Sequence, residues 1–297
     1  MEVIVTGGCG FIGSNLVERL VREDHSVTVI DNLHTGSLKN IEGLDVKFYN
    51  EPYSRLREIV GGADVIFHLG IPSSSPMYRR NPRLVGEAIN DAIEIFEFAK
   101  DKKCKVVYAS SSSIYNGNPV PYREDMPIYV TDYYTECRYL IERLANLYNT
   151  LFGVKSVGLR LFSIYGPKEE FKGTYANIVS QFLWSMKKDE PPVIFGDGTQ
   201  TRDFTYVGDV VEAFLLAWKK EFECEIFNVG TGKAYSFNEV VEILNRLLGK
   251  NLKPIYKPNP IKNYVERTLA DTTKAEKLLG FKAKVSLEEG LRSLINA

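Results

Sequence analysis

A glycine-rich turn joins the first apolar segment of the chain to its first amphipathic segment. Gly7, Gly10 and Gly13 follow the β-branched run at 3–5 and open the helical pattern at 11–22. The first glycine permits a tight turn, the second lets a pyrophosphate approach the backbone, and the third lets the helix pack closely on a sheet. The N-terminus of the helix adds N–H donors and a partial positive charge. The turn therefore predicts the start of a dinucleotide-binding βαβ unit.

An acidic residue follows the second predicted strand. Asp31 comes directly after the apolar run at 26–30 and 18 residues after Gly13. A carboxylate at this place can accept both hydroxyls of an adenosine ribose, and it repels a 2′-phosphate. The acid therefore favours NAD over NADP as the dinucleotide. The alternative is a purely structural glycine turn with a surface aspartate.

Strand and helix patterns alternate through the first half of the chain. Strands are predicted at 63–68, 105–109 and 156–161, and helices at 87–103 and 136–152. Such alternation is typical of a parallel sheet covered by helices on both faces. We therefore expect an α/β fold, a Rossmann-like doubly wound parallel sheet with a smaller interleaved C-terminal substrate lobe.

The texture of the sequence changes after residue 166. Turn-rich pieces separate shorter helices from there on, and no linker divides two independent units. We predict an NAD-binding Rossmann domain over 1–166, with returns near 204–233, and a mainly substrate-binding lobe over 167–297.

Charge and cysteine content exclude several classes of partner. The chain carries 37 Lys and Arg against 38 Asp and Glu, which favours neither nucleic acid nor an anionic membrane as a partner. Its four cysteines form no CxxC pair and no cluster with histidine, so no metal site is expected. There is no signal-peptide pattern and no apolar run of about 18 residues. We expect a cytoplasmic protein that binds no membrane.

Short motifs are distributed along nearly the whole length of the chain. They are TGGCGFIG at 6–13, DNL at 31–33, HL at 68–69, SSSSIY at 110–115, LRLF at 159–162, YGP at 165–167, IFGDGTQTRDF at 194–204, FNVG at 227–230 and AD at 270–271. Together they resemble the extended short-chain dehydrogenase/reductase family, and within it the NAD-dependent nucleotide-sugar epimerases and dehydratases. Within this group the chain resembles the UDP-glucose 4-epimerase type.

The resemblance implies a catalytic serine and a tyrosine in a YxxxK motif. The matching positions are Ser111 and Tyr134, with Arg138 where the family has lysine. Tyr133 is the rival if the register is shifted by one, but Cys137 would then take the place of the cation. A phenol ordinarily ionises near pH 10, so a tyrosine base needs a nearby cation. At about 6 Å from a phenolate and an effective dielectric near 20, a guanidinium stabilises that phenolate by roughly 2.8 kcal/mol, as an ammonium would.

The resemblance also implies which residues hold the cofactor and the substrate. For NAD they are Gly7, Gly10, Phe11, Ile12, Gly13, Asp31, Asn32, Thr35, Gly36, Leu69, Gly70, Asn90, Tyr134 and Arg138. For a nucleotide-sugar substrate, a UDP-sugar in the first place, they are Ser111, Ser163, Phe195, Arg202 and Arg267. Ser163 replaces a family asparagine. Arg267 is a possible stand-in for a family arginine that is replaced near Ile261 or Lys262.

The two residues after Ser111 bear on the reaction. Family dehydratases have an Asp-Glu pair there, whereas this chain has Ser112 and Ser113. The resemblance therefore implies an NAD-dependent 4-epimerase of the UDP-glucose/UDP-galactose type that passes through a 4-keto sugar. Two alternatives stay open. One is another C4-oxidising member such as a decarboxylase, and the other is an NAD-retaining binding or regulatory protein with impaired catalysis, because Arg138 and Ser163 depart from the family pattern.

A leucine stripe in the predicted helix at 136–152 is the last feature. Leu140, Leu144, Leu147 and Leu151 recur at helical spacing. Family members commonly dimerise through this helix, so the resemblance implies a homodimer. The alternative is that the stripe faces the sheet, since every crossover helix needs one apolar face.

Overall fold

A parallel sheet of seven strands forms the centre of the protein, whose computed structural model describes residues 1–260 and 264–296. Numbered in chain order, the strands of the sheet and of three small two-stranded pairs are β1 (Glu2–Thr6), β2 (Ser26–Ile30), β3 (Val46–Tyr49), β4 (Val65–His68), β5 (Lys105–Ser111), β6 (Ser156–Leu161), β7 (Ile164–Tyr165), β8 (Val193–Phe195), β9 (Thr201–Asp203), β10 (Thr205–Tyr206), β11 (Cys224–Val229), β12 (Ala234–Ser236) and β13 (Ile255–Lys257). The main sheet has the order β11-β6-β5-β4-β1-β2-β3, and all its neighbours pair in parallel. The expected doubly wound α/β fold is thus confirmed.

The strand order reverses between β1 and β4. The chain runs outward from β1 to β2 and β3, and then returns to β4 on the other side of β1. In such sheets the crevice at this switch point, at the carboxyl ends of the strands, is where ligands bind. The fold therefore places the glycine turn after β1 directly beside the end of β4.

Helices cover both faces of the sheet. The α-helices, numbered in chain order, are α1 (Phe11–Arg22), α2 (Leu56–Ile59), α3 (Ser75–Arg80), α4 (Leu84–Lys102), α5 (Tyr133–Phe152), α6 (Ile178–Lys187), α7 (Val207–Lys219), α8 (Phe237–Leu248) and α9 (Leu287–Asn296). Alternate strand residues enter opposite layers: Val3 and Val5 pack with α1 and α7, whereas Ile4 packs with α4 and α5. Burial on both faces explains the continuous apolar runs of these strands.

The second half of the chain packs around an apolar cluster of its own and also adds a helix and a strand to the main sheet. The helices α6, α8 and α9 enclose a separate apolar cluster. Residues 204–233 contain α7 and β11, and these pack on and into the main sheet. Within the described ranges, no helix is long and apolar enough to cross a bilayer. No group of three or more potential metal-binding side chains occurs among the same residues.

Candidate active site

A cavity of about 890 Å³ opens at the carboxyl ends of the central strands. It brings together most of the side chains that the sequence singled out. The predicted residues that line it are Gly7, Gly10, Phe11, Ile12, Gly13, Asp31, Asn32, Thr35, Gly36, Leu69, Gly70, Ser111, Tyr134, Arg138, Ser163 and Arg202. Residues from both halves of the chain thus meet at one site.

The turn after β1 presents the bare N-terminus of α1 to the cavity. Gly7 has φ +67°, a conformation that favours glycine. A side chain on Gly13 would collide with the carbonyl of Gly7. Gly10 caps α1 without a side-chain hydrogen bond, and the first turn of the helix has no acidic residue. Its free N–H groups and dipole form a site for an anion.

Asp31 lies at the end of β2 and faces the same cavity. Its Oδ2 accepts a hydrogen bond from Cys9 N at 2.9 Å, and its Oδ1 accepts one from Leu33 N at 2.7 Å. Burial raises the pKa of this carboxyl, and the backbone hydrogen bonds oppose that shift. Each carboxylate oxygen keeps a lone pair for a further donor. The geometry suits a pair of ribose hydroxyls.

The beginning of α5 positions the predicted tyrosine and arginine. Asp132 caps the helix in a capping box with Thr135, so the helix begins at Tyr133 and not at 136 as expected from its apolar pattern. Tyr134 therefore lies in the first turn, and Arg138 follows on the same face one turn later. Both side chains are buried and line the cavity. Tyr133 is 51% exposed.

Arg138 is fixed to two main-chain carbonyls. Its Nη1 donates to Ala109 O at 2.8 Å and its Nη2 donates to Pro72 O at 3.1 Å. Its Cζ lies 5.1 Å from the centroid of the Tyr134 ring. Burial by itself would lower the pKa of Arg138, but Tyr134 and Tyr78 raise it above its ordinary value. The guanidinium is therefore a permanent, immobile cation beside the tyrosine.

Ser111 ends β5 at the edge of the cavity. Its Oγ accepts a hydrogen bond from Ser113 N at 3.2 Å and so caps a short 3-10 turn over Ser112–Tyr115. Ser112 and Ser113 also line the cavity. The positions that follow Ser111 thus offer neutral hydroxyls and no carboxylate.

A buried ion pair that no sequence pattern predicted lies next to the strand that carries Ser111. Glu142 of α5 and Arg160 of β6 are joined by Nη2···Oε2 at 2.7 Å and Nε···Oε1 at 3.0 Å. Ser110 Oγ donates to Glu142 Oε1 at 2.6 Å, and Arg160 Nη1 donates to Tyr115 OH at 2.6 Å. These bonds join α5 to both ends of the Ser111 region. They hold the strand that carries Ser111 against the helix that carries Tyr134.

Arg202 of β9 reaches the cavity from the second half of the chain. Its Cζ lies 5.5 Å from the ring centroid of Phe237 and 5.1 Å from that of Tyr264. It donates to Thr201 O at 2.8 Å and to Glu266 O at 3.2 Å. Burial lowers its pKa relative to an ordinary arginine. A guanidinium between two rings is rigid and suited to holding a phosphate.

Three predicted site residues do not reach the cavity. Asn90 is exposed on α4, and the next residue, Asp91, lines the cavity instead. Burial, together with Glu87 and Glu94, raises the pKa of Asp91 to about 6. One residue along a helix turns a side chain by about 100°, so a small error in spacing reverses the outcome.

The other two misplaced residues lie in the second half of the chain. Phe195 is 44% exposed and lies outside the cavity. Arg267 is exposed, and its neighbour Thr268 lines the cavity. Ile261 and Lys262, where the sequence placed the loss of a family arginine, lie outside the described residues.

The chain matches one protein family and is similar to several named proteins. The model of a family described as the NAD dependent epimerase/dehydratase family matches residues 3–230. The solved UDP-N-acetylglucosamine 4-epimerase of Methanobrevibacter ruminantium is 30% identical with a TM-score of 0.94, over 99% of this chain and 97% of that one. The UDP-glucose 4-epimerase of Thermotoga maritima, solved with UDP-glucose, is 31% identical with a TM-score of 0.93, over 100% and 98% of the two chains. A UDP-N-acetyl-alpha-D-glucosaminuronate decarboxylase of Bacillus cytotoxicus is 33% identical, over 98% of this chain and 96% of that protein.

Proposed function

Because the chain belongs to the NAD-dependent epimerase/dehydratase family, we propose that it is a nucleotide-sugar 4-epimerase of the UDP-glucose/UDP-galactose type. One observation carries the proposal. Ser111, Tyr134 and the fixed cation of Arg138 line one cavity, and the two residues after Ser111 are serines. Such a site can remove and return a proton at one hydroxyl, and the two positions after Ser111 carry no acids of the kind that dehydratases have there.

NAD is the cofactor of this family, and the cavity fits it. The bare N-terminus of α1 suits the pyrophosphate, and the carboxylate of Asp31 suits the adenosine ribose. Leu69 and Gly70, at the end of β4, line the cavity beside them. When bound, NAD would supply the reversible oxidation of a secondary alcohol to a ketone.

Tyr134 would act as the base at the 4-hydroxyl of the sugar. Its phenolate would accept the proton of that hydroxyl while Ser111 donates a hydrogen bond to the same oxygen. The nearby cation of Arg138 would stabilise the phenolate by Coulomb attraction. On the return step Tyr134 would give the proton back to the oxygen, so neither residue is consumed.

The substrate would be anchored away from the reacting carbon. Arg202, held between two aromatic rings, would bind the pyrophosphate of the nucleotide by charge-assisted hydrogen bonds. A sugar held only through the pyrophosphate could rotate while it is the planar ketone. Its C4 atom would then accept hydrogen on the opposite face.

Two alternatives follow from specific observations. The 33% identical decarboxylase favours a C4 oxidation followed by loss of a carboxylate. The second alternative is a protein that retains NAD and a nucleotide sugar without turnover. This alternative is favoured because both Nη atoms of Arg138 already donate hydrogen bonds to main-chain carbonyls.

Proton NMR of the purified protein with NAD and single nucleotide sugars distinguishes these functions. We expect UDP-galactose to give UDP-glucose, with UDP-N-acetylgalactosamine and UDP-glucuronate tested in parallel. Epimerisation of another of these sugars would keep the reaction and change the substrate. Release of carbon dioxide from UDP-glucuronate would establish a decarboxylase. No change with any of them, with NAD demonstrably bound, would contradict the proposed substrates and leave another nucleotide sugar or the binding protein.

We also propose that the protein is a homodimer assembled through α5. Ile141, Ala145 and Tyr148 form the sheet-facing side of this helix. The leucine stripe is divided: Leu144 packs against the same cluster and Leu140 is half-buried, whereas Leu147 is 51% and Leu151 66% exposed. The exposure of Leu147 and Leu151 supports the dimer over the alternative that the stripe faces the sheet. An exposed apolar helix end is a surface that a second copy could cover.

Light scattering at micromolar concentration tests the assembly. We expect twice the mass of one chain for the native protein, and one chain for the double variant Leu147→Glu, Leu151→Glu. Leu278→Glu is the matched control, because Leu278 is also 50% exposed but lies outside α5. A native monomer would contradict the proposal.

A further inference from the structure

A segment from the second half of the chain crosses over the beginning of α1. It runs from Pro167 through a short 3-10 turn to Tyr175. Asn15 Nδ2 donates to Pro167 O at 3.1 Å, and Lys168 Nζ contacts Glu18 Oε2 at 2.7 Å. We call residues 167–175 the crossing segment. It covers the side of α1 whose N-terminus opens into the cavity.

Lys172 of the crossing segment points its ammonium toward this N-terminus. Its Nζ lies 5.5 Å from the ring centroid of Phe11, the first residue of α1. The side chain is 17% exposed. Of the described residues that line the cavity, Lys172 is the one lysine.

The one ion-pair partner of Lys172 in the described chain is already engaged elsewhere. Glu169 Oε1 lies 3.4 Å from Nζ, and the same carboxylate accepts shorter bonds from Asn177 N at 2.7 Å and Ser180 Oγ at 2.6 Å. Glu169 is fully buried and ties the crossing segment to α6. An ammonium has three donors, so Lys172 retains donors for a ligand in the cavity.

Two sources of positive potential therefore converge: the beginning of α1 and Lys172, whose partner Glu169 is shared with Asn177 and Ser180. The first turn of α1 has no acidic residue and Gly10 makes no side-chain cap. A helix N-terminus carries about half a positive charge, whereas a dinucleotide pyrophosphate carries two negative charges. We propose that Lys172 binds the pyrophosphate of NAD and completes a cofactor site that the glycine turn leaves open on one side.

The proposal has a consequence for cofactor exchange. A pyrophosphate held between α1 and Lys172 would lie under the crossing segment. That segment is held down by Lys168 on Glu18 and by Arg80 Nη1 on Tyr175 OH at 2.7 Å. Release of NAD would require these contacts to open. The inference rests on the cofactor alone and not on the proposed epimerisation.

Binding measurements on Lys172→Met test it. After removal of copurified NAD, calorimetry gives the Kd for NAD, for ADP-ribose and for adenosine. We expect the Kd for NAD and for ADP-ribose to rise about 10- to 100-fold, as for loss of a charged hydrogen bond. The Kd for adenosine, which has no pyrophosphate, should change less than about threefold. Lys172→Arg should restore most of the affinity, and high salt should narrow the gap.

Lys168→Met is the matched control. It removes a lysine of the same segment and its contact with Glu18, but Lys168 does not line the cavity. Equal weakening by both variants would mean that only the position of the segment matters, and would overturn the proposal. Weakening of NAD but not of ADP-ribose would place Lys172 at the nicotinamide and overturn it too. So would unchanged binding with lost turnover, which would make Lys172 a proton-transfer group.

Discussion

Replacement of Tyr134 by phenylalanine is expected to lower kcat about a thousandfold, within the range typical of a lost general base. The variant lacks only the hydroxyl. Its ring keeps the contact with Arg138 at 5.1 Å and with the Tyr78 ring at 5.7 Å between centroids. The fold and the cofactor site should therefore persist. Steady-state kinetics on the nucleotide sugar identified by NMR, with the Kd for NAD measured in parallel, checks both parts.

Tyr133→Phe is the control for this experiment. Tyr133 is the neighbouring tyrosine on α5, but it is half-exposed and does not line the cavity. We expect it to keep kcat within about twofold, as for an ordinary surface substitution. A large loss in Tyr133→Phe together with normal turnover in Tyr134→Phe would shift the register of the motif and remove Arg138 from the site. A loss of NAD affinity in Tyr134→Phe would show that its hydroxyl also binds the cofactor, the second role that the resemblance implies.

The cofactor side of the cavity was predictable because its determinants are local. The turn at Gly7 and Gly13 needs glycine for steric reasons that the sequence displays directly. The helix that follows has the predicted bounds, Phe11–Arg22, and β2 ends at the expected Ile30. The edge strand β3 was missed, because its four residues are only partly buried and carry no continuous apolar run.

Residues whose place depends on a whole element were harder to predict. Asn90 and Asp91 are adjacent in the chain, yet α4 turns one to solvent and the other to the cavity. A resemblance gives such a position only to within a residue or two, whereas the helix needs it to within one. Phe195 lies outside the cavity because it ends a short strand whose final side chain is exposed.

Long-range contacts could not be inferred from the sequence at all. Glu142 and Arg160 are charged residues inside apolar patterns, and only the packing of α5 on β6 shows that they neutralise each other. Lys172 lies in a turn-rich stretch with no periodicity. Its meaning depends on the crossing of that stretch over α1, more than 150 residues earlier in the chain. Tertiary structure decides such cases, because the partners are far apart in sequence.

Replacement of Arg138 by methionine is the second change with a large expected effect. At about 6 Å and an effective dielectric near 20, removal of the cation costs the phenolate roughly 3 kcal/mol, or about a hundredfold in kcat. The carbonyls of Ala109 and Pro72 would also lose their donors, which destabilises the fold by about 1–3 kcal/mol each. Thermal unfolding is therefore measured alongside kcat.

Arg138→Lys separates the role of the charge from that of the guanidinium fork. An ammonium keeps the positive charge beside Tyr134, but as a point charge it does not reproduce two parallel bonds to the carbonyls of Ala109 and Pro72. If the charge is what catalysis needs, the lysine variant should keep kcat within about tenfold while it unfolds at a lower temperature. A gain in kcat well above tenfold would mean that the native arginine impairs turnover, and would favour the binding protein over the epimerase. A loss as large as that of Arg138→Met would mean that the fork positions Tyr134 through the ends of β4 and β5, so that geometry and not charge limits the reaction.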